Sequence, residues 1–245
     1  MAARSNEARR GTRPTDQEIY SAAVRLFSGR GYHGTSLRSV AAAVGLQMSS
    51  LYYHYPSKQY LLFEIMNRTM QDLAAAVEEA VGESEGPQEK LRAAIRAHVL
   101  FHARRGMEAF IADAELRSLE AETRALSVKR RDRYQQIFED ILRDGAQQGV
   151  FDVPDVKLAT YALMAMCTGV AVWFRPDGRV TLEEVADAYA DLFVHGVMPS
   201  GDGRRGVGSR EREPPGAGAV VSRPTSGSAG RQGKRRGGGA TVLGV

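Results

Sequence analysis

A glycine-rich hexapeptide is the first stretch whose residue types suggest chemistry. Residues 29–34 read G-R-G-Y-H-G, which matches the G-x-G-x-x-G pattern that seats the pyrophosphate of a dinucleotide at a helix N-terminus. That motif needs a preceding strand and an acidic residue about twenty positions later. Here the preceding segment has helical periodicity, and the next acid is Glu64, 30 residues beyond Gly34. The sequence therefore argues against a dinucleotide site, and we predict no cofactor.

A histidine pair is the second candidate. His98 and His102 lie at i and i+4, a spacing at which two imidazoles on one helix face can share a metal ion, and Glu108, Asp113 and Glu115 follow nearby. No further histidine or cysteine converges on them by spacing, so a structural role is favoured. Serine, histidine and aspartate exist for a hydrolytic triad, but no G-x-S-x-G elbow occurs. We therefore predict neither a metal site nor catalytic residues.

Charge is unevenly distributed along the 245 residues. The formal net charge is +5 over residues 1–58, −7 over residues 59–198 and +6 over residues 199–245. No carboxylate occurs at the 45 positions between Glu18 and Glu64. Such a stretch without carboxylates can arise by chance in a small helical domain. It is also expected of a surface that approaches phosphates, because carboxylates there would repel them. A basic end on an acidic body favours a polyanionic partner for that end.

The segments that must position these residues are helical. Apolar residues recur at i, i+3, i+4 and i+7 almost everywhere up to Met198, and no segment of useful length alternates with the period of a strand. The later predicted helices cover residues 57–81, 87–105, 107–116, 119–148, 154–174 and 181–196. The sequence therefore predicts an all-α fold of about nine helices. We expect the longest apolar stretch, near 161–174, to be too short for a bilayer, and so a cytoplasmic protein with no membrane contact.

Three short helices precede these. The first follows a capping box at residues 15–18 and ends near Gly29 and Gly31. The second starts at Thr35 or Ser36, and the third spans about residues 47–53 after a break at residues 44–46. Two short helices joined by a glycine turn are typical of a helix-turn-helix unit. We assign residues 14–73 to this head, residues 74–198 to a helical body, and residues 1–13 and 199–245 to a disordered basic arm and a disordered Gly/Arg/Ser/Pro tail.

Residues 35–58, T-S-L-R-S-V-A-A-A-V-G-L-Q-M-S-S-L-Y-Y-H-Y-P-S-K, resemble the DNA-binding signature of the TetR family of transcriptional regulators. The match extends over about residues 14–63 and departs little from the family pattern. Tyr55 stands where phenylalanine is usual, and Ser49 stands where glycine or proline is frequent. The resemblance implies a sequence-specific, homodimeric DNA-binding regulator, by family default a repressor, and not an enzyme.

The resemblance and the residue types together give a set of DNA-facing residues. The resemblance implies that Arg38, Met48 and Ser49 face bases, and that phosphates are met by Ser36, Tyr52, His54 and Lys58. The third helix, at about residues 47–53, is the one expected to read the DNA. Its small residues let the backbone approach the DNA, and hydroxyls reach phosphate oxygens without repelling them. Core packing remains an alternative for Tyr53 and Tyr55. The full predicted set is Thr35, Ser36, Arg38, Gln47, Met48, Ser49, Ser50, Tyr52, His54 and Lys58.

One short recognition helix covers only a few base pairs, so affinity requires two copies on a palindromic operator. We expect the homodimer to form through the last two long helices, about 154–174 and 181–196. The first of these is apolar nearly all round, which would leave exposed patches on a monomer.

The body is expected to bind a small effector. The segment W-F-R-P-D-G at 173–178 and the run R-R-D-R-Y at 130–134 are similar to a TetR subgroup that senses acyl-CoA thioesters. Arginine suits a phosphate-bearing ligand and aromatic walls suit an acyl chain. Core packing of Trp173, solvated or paired arginines, and another lipophilic ligand are the alternatives. The predicted pocket residues are Phe101, Phe110, Arg133, Tyr134, Met166, Trp173 and Arg175. A helical-bundle metal- or CoA-dependent enzyme carrying a helix-turn-helix is the alternative function.

Overall fold

The computed structural model describes residues 16–199. The predicted arm at 1–13, Thr15 of the capping box and nearly all of the predicted tail lie outside this range. The described residues form ten α-helices and no strand: α1 (Asp16–Arg30), α2 (Leu37–Ala43), α3 (Met48–His54), α4 (Lys58–Gly82), α5 (Gly86–Arg104), α6 (Gly106–Ala114), α7 (Ala121–Gln147), α8 (Val156–Thr168), α9 (Val170–Trp173) and α10 (Leu182–Val197), with a 3-10 turn at Leu116–Ser118. The predicted all-α fold is confirmed.

Helices α1–α3 and the first half of α4 surround a small apolar core. Phe27, Val40 and Leu51 are fully buried there, and Tyr32 packs edge-on against Phe27 at 5.4 Å between ring centroids. Tyr55 is also buried, and its hydroxyl donates a 2.7 Å hydrogen bond to a carboxylate oxygen of Asp16. Three short helices are thereby tied to α4 by a single shared core.

The glycines of the 29–34 hexapeptide shape the turn between α1 and α2. Gly31 has a φ of 74°, the left-handed conformation that closes a helix. Gly34 lies so close to Arg30 that an added side chain would collide with the carbonyl oxygen of that residue. Gly29 does not end the helix as predicted, because α1 continues to Arg30. These residues serve a tight turn, and no strand precedes them among the described residues.

The body packs around α5, which runs through its centre between α4, α7, α8 and α10. Leu91, Ile95 and Val99 of α5 are fully buried against Phe138 and Leu142 of α7. Helix α10 begins at the predicted capping box: the Thr181 hydroxyl accepts from the Glu184 amide at 3.2 Å, and the Glu184 carboxylate accepts from the Thr181 amide at 2.7 Å.

Helix α4 belongs to both cores. Its first half contributes Leu61 and Ile65 to the head core, and its second half contributes Leu73 and Val77 to the body core. Helix α6 also reaches across, since Ile111 is buried in the head core. A movement of α4 or α6 in the body must therefore displace the head.

The predicted helix at 154–174 is interrupted at Gly169, where α8 gives way to the single turn α9. The run Val156–Trp173 nevertheless has 18 residues, a mean hydropathy of 1.4 and only 22% of its residues buried. By length and composition it reaches the minimum for a membrane span, so the expectation that this stretch is too short was wrong. Much of its apolar surface faces outward.

Candidate DNA-binding surface and ligand cavity

The exposed face of α2 and α3 is rich in hydroxyls. Ser36 caps α2 by accepting a 3.1 Å hydrogen bond from the Ser39 amide, while Ser39 accepts one of 3.1 Å from the Ser36 amide. This reciprocal cap fixes the start of α2. The residues of the predicted DNA-facing set that are exposed on this face are Ser36, Arg38, Gln47, Ser49, Tyr52 and His54.

Three members of the predicted set are placed differently. Thr35 is buried, and its hydroxyl lies 2.9 Å from the Gly31 carbonyl oxygen and 3.1 Å from that of Leu26. Met48 is half-buried against the head core, and Ser50 is half-buried beside it. Thr35 therefore stabilises the turn before α2, because its hydroxyl hydrogen-bonds to backbone carbonyl oxygens.

Lys58 also makes contacts within the protein. Its ammonium donates hydrogen bonds of 2.8 Å to the carbonyl oxygens of Tyr32 and Thr35, and it lies 4.0 Å from the centroid of the Tyr32 ring. These contacts anchor α4 to the turn that leads into α2. These contacts give Lys58 a stabilising role in the head, and its contact with a phosphate stays a prediction.

Tyr53 and Tyr55, for which the sequence left core packing as an alternative, differ in exposure. Tyr53 is 87% exposed, whereas Tyr55 is 1% exposed. Tyr53 therefore lies beside Tyr52 on the exposed face of α3, whereas the core-packing alternative holds for Tyr55.

A hydrogen-bond network joins the head to the body near the Leu116–Ser118 turn. Glu115 accepts from the Tyr32 amide at 3.1 Å and from the Ser118 hydroxyl at 2.6 Å. The Ser118 hydroxyl also lies 3.2 Å from Nε2 of His33. Gln59 donates to the Ser118 carbonyl oxygen at 2.7 Å and accepts from the Glu120 amide at 3.2 Å. This network spans 83 residues of sequence and has no local sequence signal.

The body contains an inner cavity of about 170 Å³ between α4, α5, α6, α7 and α8. Its apolar lining residues include Met70, Leu73, Phe101, Ala109, Ala112 and Met164. The polar side chains on the wall are Thr69, His98, His102, Asp113, Arg131, Tyr134, Gln135 and Thr168. The polar residues are more numerous, but most of the accessible surface of the wall is apolar, which is typical of a small-molecule site.

His98 and His102 occupy adjacent turns of α5 on this wall, with rings stacked at 4.3 Å between centroids. Nδ1 of His98 lies 2.7 Å from the Tyr134 hydroxyl, and Nε2 lies 3.2 Å from the Thr168 hydroxyl. Both ring nitrogens of His98 are therefore occupied, which disfavours metal binding by the pair. No group of three or more metal-ligating side chains occurs among residues 16–199.

Burial keeps both imidazoles neutral. It lowers the pKa of His102 to about 4, with the Arg131 charge acting in the same direction. It also holds the pKa of His98 well below the ordinary value, and His102 adds to that effect. The cavity therefore presents neutral, hydrogen-bonding imidazole at physiological pH.

An outer groove of about 400 Å³ adjoins the cavity between α4 and α7. Arg130 and Arg133 line it, and Met70 and Tyr134 line both the groove and the cavity. Arg133 is exposed and forms no ion pair with a described residue, whereas Arg130 donates to the side-chain oxygen of Asn67. The outer groove therefore holds two arginines together with Glu78, and the shared wall connects it with the more apolar surface of the cavity.

Comparison with known proteins gives the family. Residues 19–65 match the model of bacterial regulatory proteins of the tetR family, and residues 84–197 match the model of the tetracyclin repressor-like C-terminal domain. The chain belongs to the TetR family. It is therefore a DNA-binding transcriptional regulator rather than the alternative helical-bundle enzyme.

Several TetR-family proteins are similar over most of their length. PfmR from Thermus thermophilus is 38% identical, with 72% of this chain and 97% of PfmR covered and a TM-score of 0.67. AibR in complex with isovaleryl coenzyme A and operator DNA is 34% identical, with 72% and 96% covered and a TM-score of 0.67. The transcriptional repressor KstR2 of Mycobacterium tuberculosis (strain ATCC 25618 / H37Rv) is 26% identical over 187 residues, which are 75% of this chain and 93% of KstR2.

Against this TetR fold, the predicted pocket residues divide into two groups. Phe101 and Tyr134 line the inner cavity and Arg133 lines the outer groove. Phe110 is exposed and lines an open apolar groove near α6 and α8, which shares Asp113, Met164 and Thr168 with the cavity wall. The remaining three lie on none of these walls. Met166 packs half-buried against the body core, and Trp173 and Arg175 are exposed after Gly169. Met166 precedes the break at Gly169, and Trp173 and Arg175 follow it; a place for these three residues in an effector pocket stays a prediction.

Trp173 instead belongs to an exposed apolar face. Its ring is 46% exposed and lies 6.3 Å from the Tyr189 ring of α10. Other large apolar side chains on α8, α9 and α10 are also exposed: Leu158 (65% exposed), Tyr161 (50%), Val172 (76%) and Leu192 (65%). Such a concentration of apolar surface is typical of a protein interface.

Proposed function

We propose that this TetR-family protein is a homodimeric repressor released from a palindromic operator by a small lipophilic effector. The observation that carries the proposal is the inner cavity, whose walls include α4 and α6, the two helices that also contribute to the head core. The protein can adopt one spacing of the two heads that fits the operator and another that does not. An effector lowers operator affinity by as much as its own affinity differs between these two conformations. Such a protein would act in the cytoplasm, at the nucleoid.

DNA contact is assigned to the exposed face of α2 and α3. We assign Arg38, Gln47 and Ser49 to base edges, and Ser36, Tyr52 and His54 to phosphates. Support comes from their exposure and from the absence of carboxylates between Glu18 and Glu64. Met48 and Ser50, being half-buried, would contribute their outward atoms only.

Dimerisation is assigned to the exposed apolar face of α8, α9 and α10. Support comes from Leu158, Val172 and Leu192, each about two-thirds exposed or more. In water these side chains gain about 25 cal/mol for each Å² that a second copy covers. Burial against a second copy would also explain why the Val156–Trp173 run is as apolar as a membrane span, with no need for a membrane partner.

The effector is assigned to the acyl-CoA thioesters. Arg133 in the outer groove suits the phosphates of the nucleotide, and the apolar inner cavity suits the acyl chain, which would enter past Met70 and Tyr134. AibR, whose structure holds isovaleryl coenzyme A, is among the similar proteins. The inner volume of about 170 Å³ favours a short or branched chain over a long one. Another lipophilic metabolite is the competing class.

A thermal-shift panel tests the effector, and fluorescence anisotropy tests the release. Short-chain acyl-CoAs are expected to raise the melting temperature and to lower affinity for the palindrome upstream of the protein's own gene. Free coenzyme A is the matched control without an acyl group. A flat response to every acyl-CoA would remove this class, while a palindrome that is never bound against competitor DNA would remove the autoregulator proposal.

A further inference from the structure

The polar groups on the wall of the inner cavity are almost all paired within the protein. Thr69 donates to the Ile65 carbonyl oxygen at 2.7 Å, and Gln135 donates to Glu139 at 2.7 Å. Arg131 forms an ion pair with Asp113 at 3.1 Å. Tyr134 and Thr168 are both occupied by His98. These side chains are therefore committed to holding the walls together.

His102 is different. It is 6% exposed, and its Nδ1 is buried with no hydrogen-bond partner among the described residues. Leaving a buried polar atom unpaired costs about 1–3 kcal/mol. The stacked ring of His98 fixes the imidazole from one side, so the hydrogen-bonding capacity of His102 is held in place on a wall whose other polar side chains are paired within the protein.

The neutral state of His102 limits what it can recognise. Burial and the nearby Arg131 disfavour the charged imidazolium, so a carboxylate would gain no ion pair from this ring. A neutral imidazole can donate one hydrogen bond from a ring N–H to an uncharged acceptor such as a carbonyl oxygen.

We propose that His102 hydrogen-bonds the thioester carbonyl oxygen of the acyl-CoA and thereby selects thioesters over saturated analogues of the same shape. This inference rests on the effector class proposed above. It makes His102 a specificity-determining residue, while the apolar wall accepts the chain and the outer groove accepts the nucleotide.

The experiment compares isovaleryl-CoA with S-(3-methylbutyl)-CoA, a thioether that has a methylene in place of the carbonyl. Calorimetry on the full chain is expected to give wild-type protein roughly tenfold tighter binding of the thioester, the factor of one buried hydrogen bond. His102→Phe keeps a ring for stacking and removes both nitrogens, so it should bind the two compounds equally. Phe101→Leu changes an apolar part of the same wall. It should weaken the binding of both compounds and leave the ratio of their affinities unchanged.

The outcomes separate the two proposals. Equal affinity of the wild-type protein for both compounds overturns the role of His102 and leaves the acyl-CoA effector standing. A thioester preference that persists in His102→Phe also overturns it, because another group then reads the carbonyl. Binding of neither compound removes the effector class and this role together. If His102→Phe does not fold, equal affinity of the wild-type protein for the two compounds still overturns the role.

Discussion

The DNA-facing surface and the inner cavity are both built from helices, yet their polar groups are arranged in opposite ways. On the surface, hydroxyls and a guanidinium within residues 36–54 are exposed. In the cavity, His98 and His102 are buried, and the partners of His98 come from α7 and α8, 36 and 70 residues away. The surface is suited to a hydrated polyanion, and the cavity is suited to a ligand that brings no water with it.

The two regions meet at the Leu116–Ser118 turn. Ala112 and Asp113 of α6 lie on the cavity wall, and Glu115 just beyond them accepts a hydrogen bond from the Tyr32 amide in the head. Helix α4 links the two regions, because it contributes to both cores. The structure adds α6 and this turn, because an effector that displaces α6 also displaces the start of α2.

Separating the two copies should have the largest effect. Replacing Val172 and Leu192 together by glutamate buries two like charges in the proposed interface, and we expect monomers in analytical ultracentrifugation. Operator affinity should fall by about 100-fold or more, because one head covers only a few base pairs. Gln136→Glu, on an exposed part of α7, adds a charge elsewhere and should leave the dimer intact. A double variant that stays dimeric would refute the proposed interface.

Acid should weaken the body before the head. The pKa of His102 is about 4 in the folded protein and 6.5 ordinarily, so the unfolded chain binds a proton first as the pH falls from 6.5 to 4. The free energy of unfolding therefore decreases over this window, by up to about 3 kcal/mol from His102. Urea melts at pH 7 and 4.5 should show a smaller decrease in His102→Phe. In the head, the pKa of Asp16 is lowered, through hydrogen bonds from Tyr55 and Arg68 that outweigh its burial, so its contribution is lost only below that window.

Arg38→Ala should reduce operator affinity by roughly 10- to 100-fold and relax the base preference, because a base contact is worth about 1–3 kcal/mol. Its affinity for isovaleryl-CoA in the absence of DNA should not change. Arg133→Ala is the complementary control. It should weaken the binding of isovaleryl-CoA and leave the operator affinity of the unliganded protein unchanged. Anisotropy and calorimetry on both variants measure the separation, and a variant that impairs both activities equally would contradict it.

Lys58→Met should have the smallest effect, a severalfold loss of operator affinity together with a lower melting temperature. The ammonium is engaged by the carbonyl oxygens of Tyr32 and Thr35, so the slope of log affinity against log salt should stay unchanged. A slope reduced by about 0.9 would instead identify Lys58 as a phosphate contact.

The sequence by itself determined the features that depend on neighbours along the chain. Helical periodicity, the capping box at Thr181 and the spacing of residues 35–58 predicted the all-α fold and the helix-turn-helix, because caps and turns act within a few residues. The hexapeptide at 29–34 could be rejected as a nucleotide site for the same reason: its flanking segments are part of the motif.

Only the tertiary structure decided which side chains remain available. Thr35 and Lys58 match the family pattern, but backbone carbonyls within the head occupy them. His98 and His102 are equivalent by spacing, yet helices distant in sequence satisfy both nitrogens of the first and leave Nδ1 of the second unpaired among the described residues. Burial and pairing are properties of what surrounds a residue in space, and one helix does not specify the other walls of its cavity.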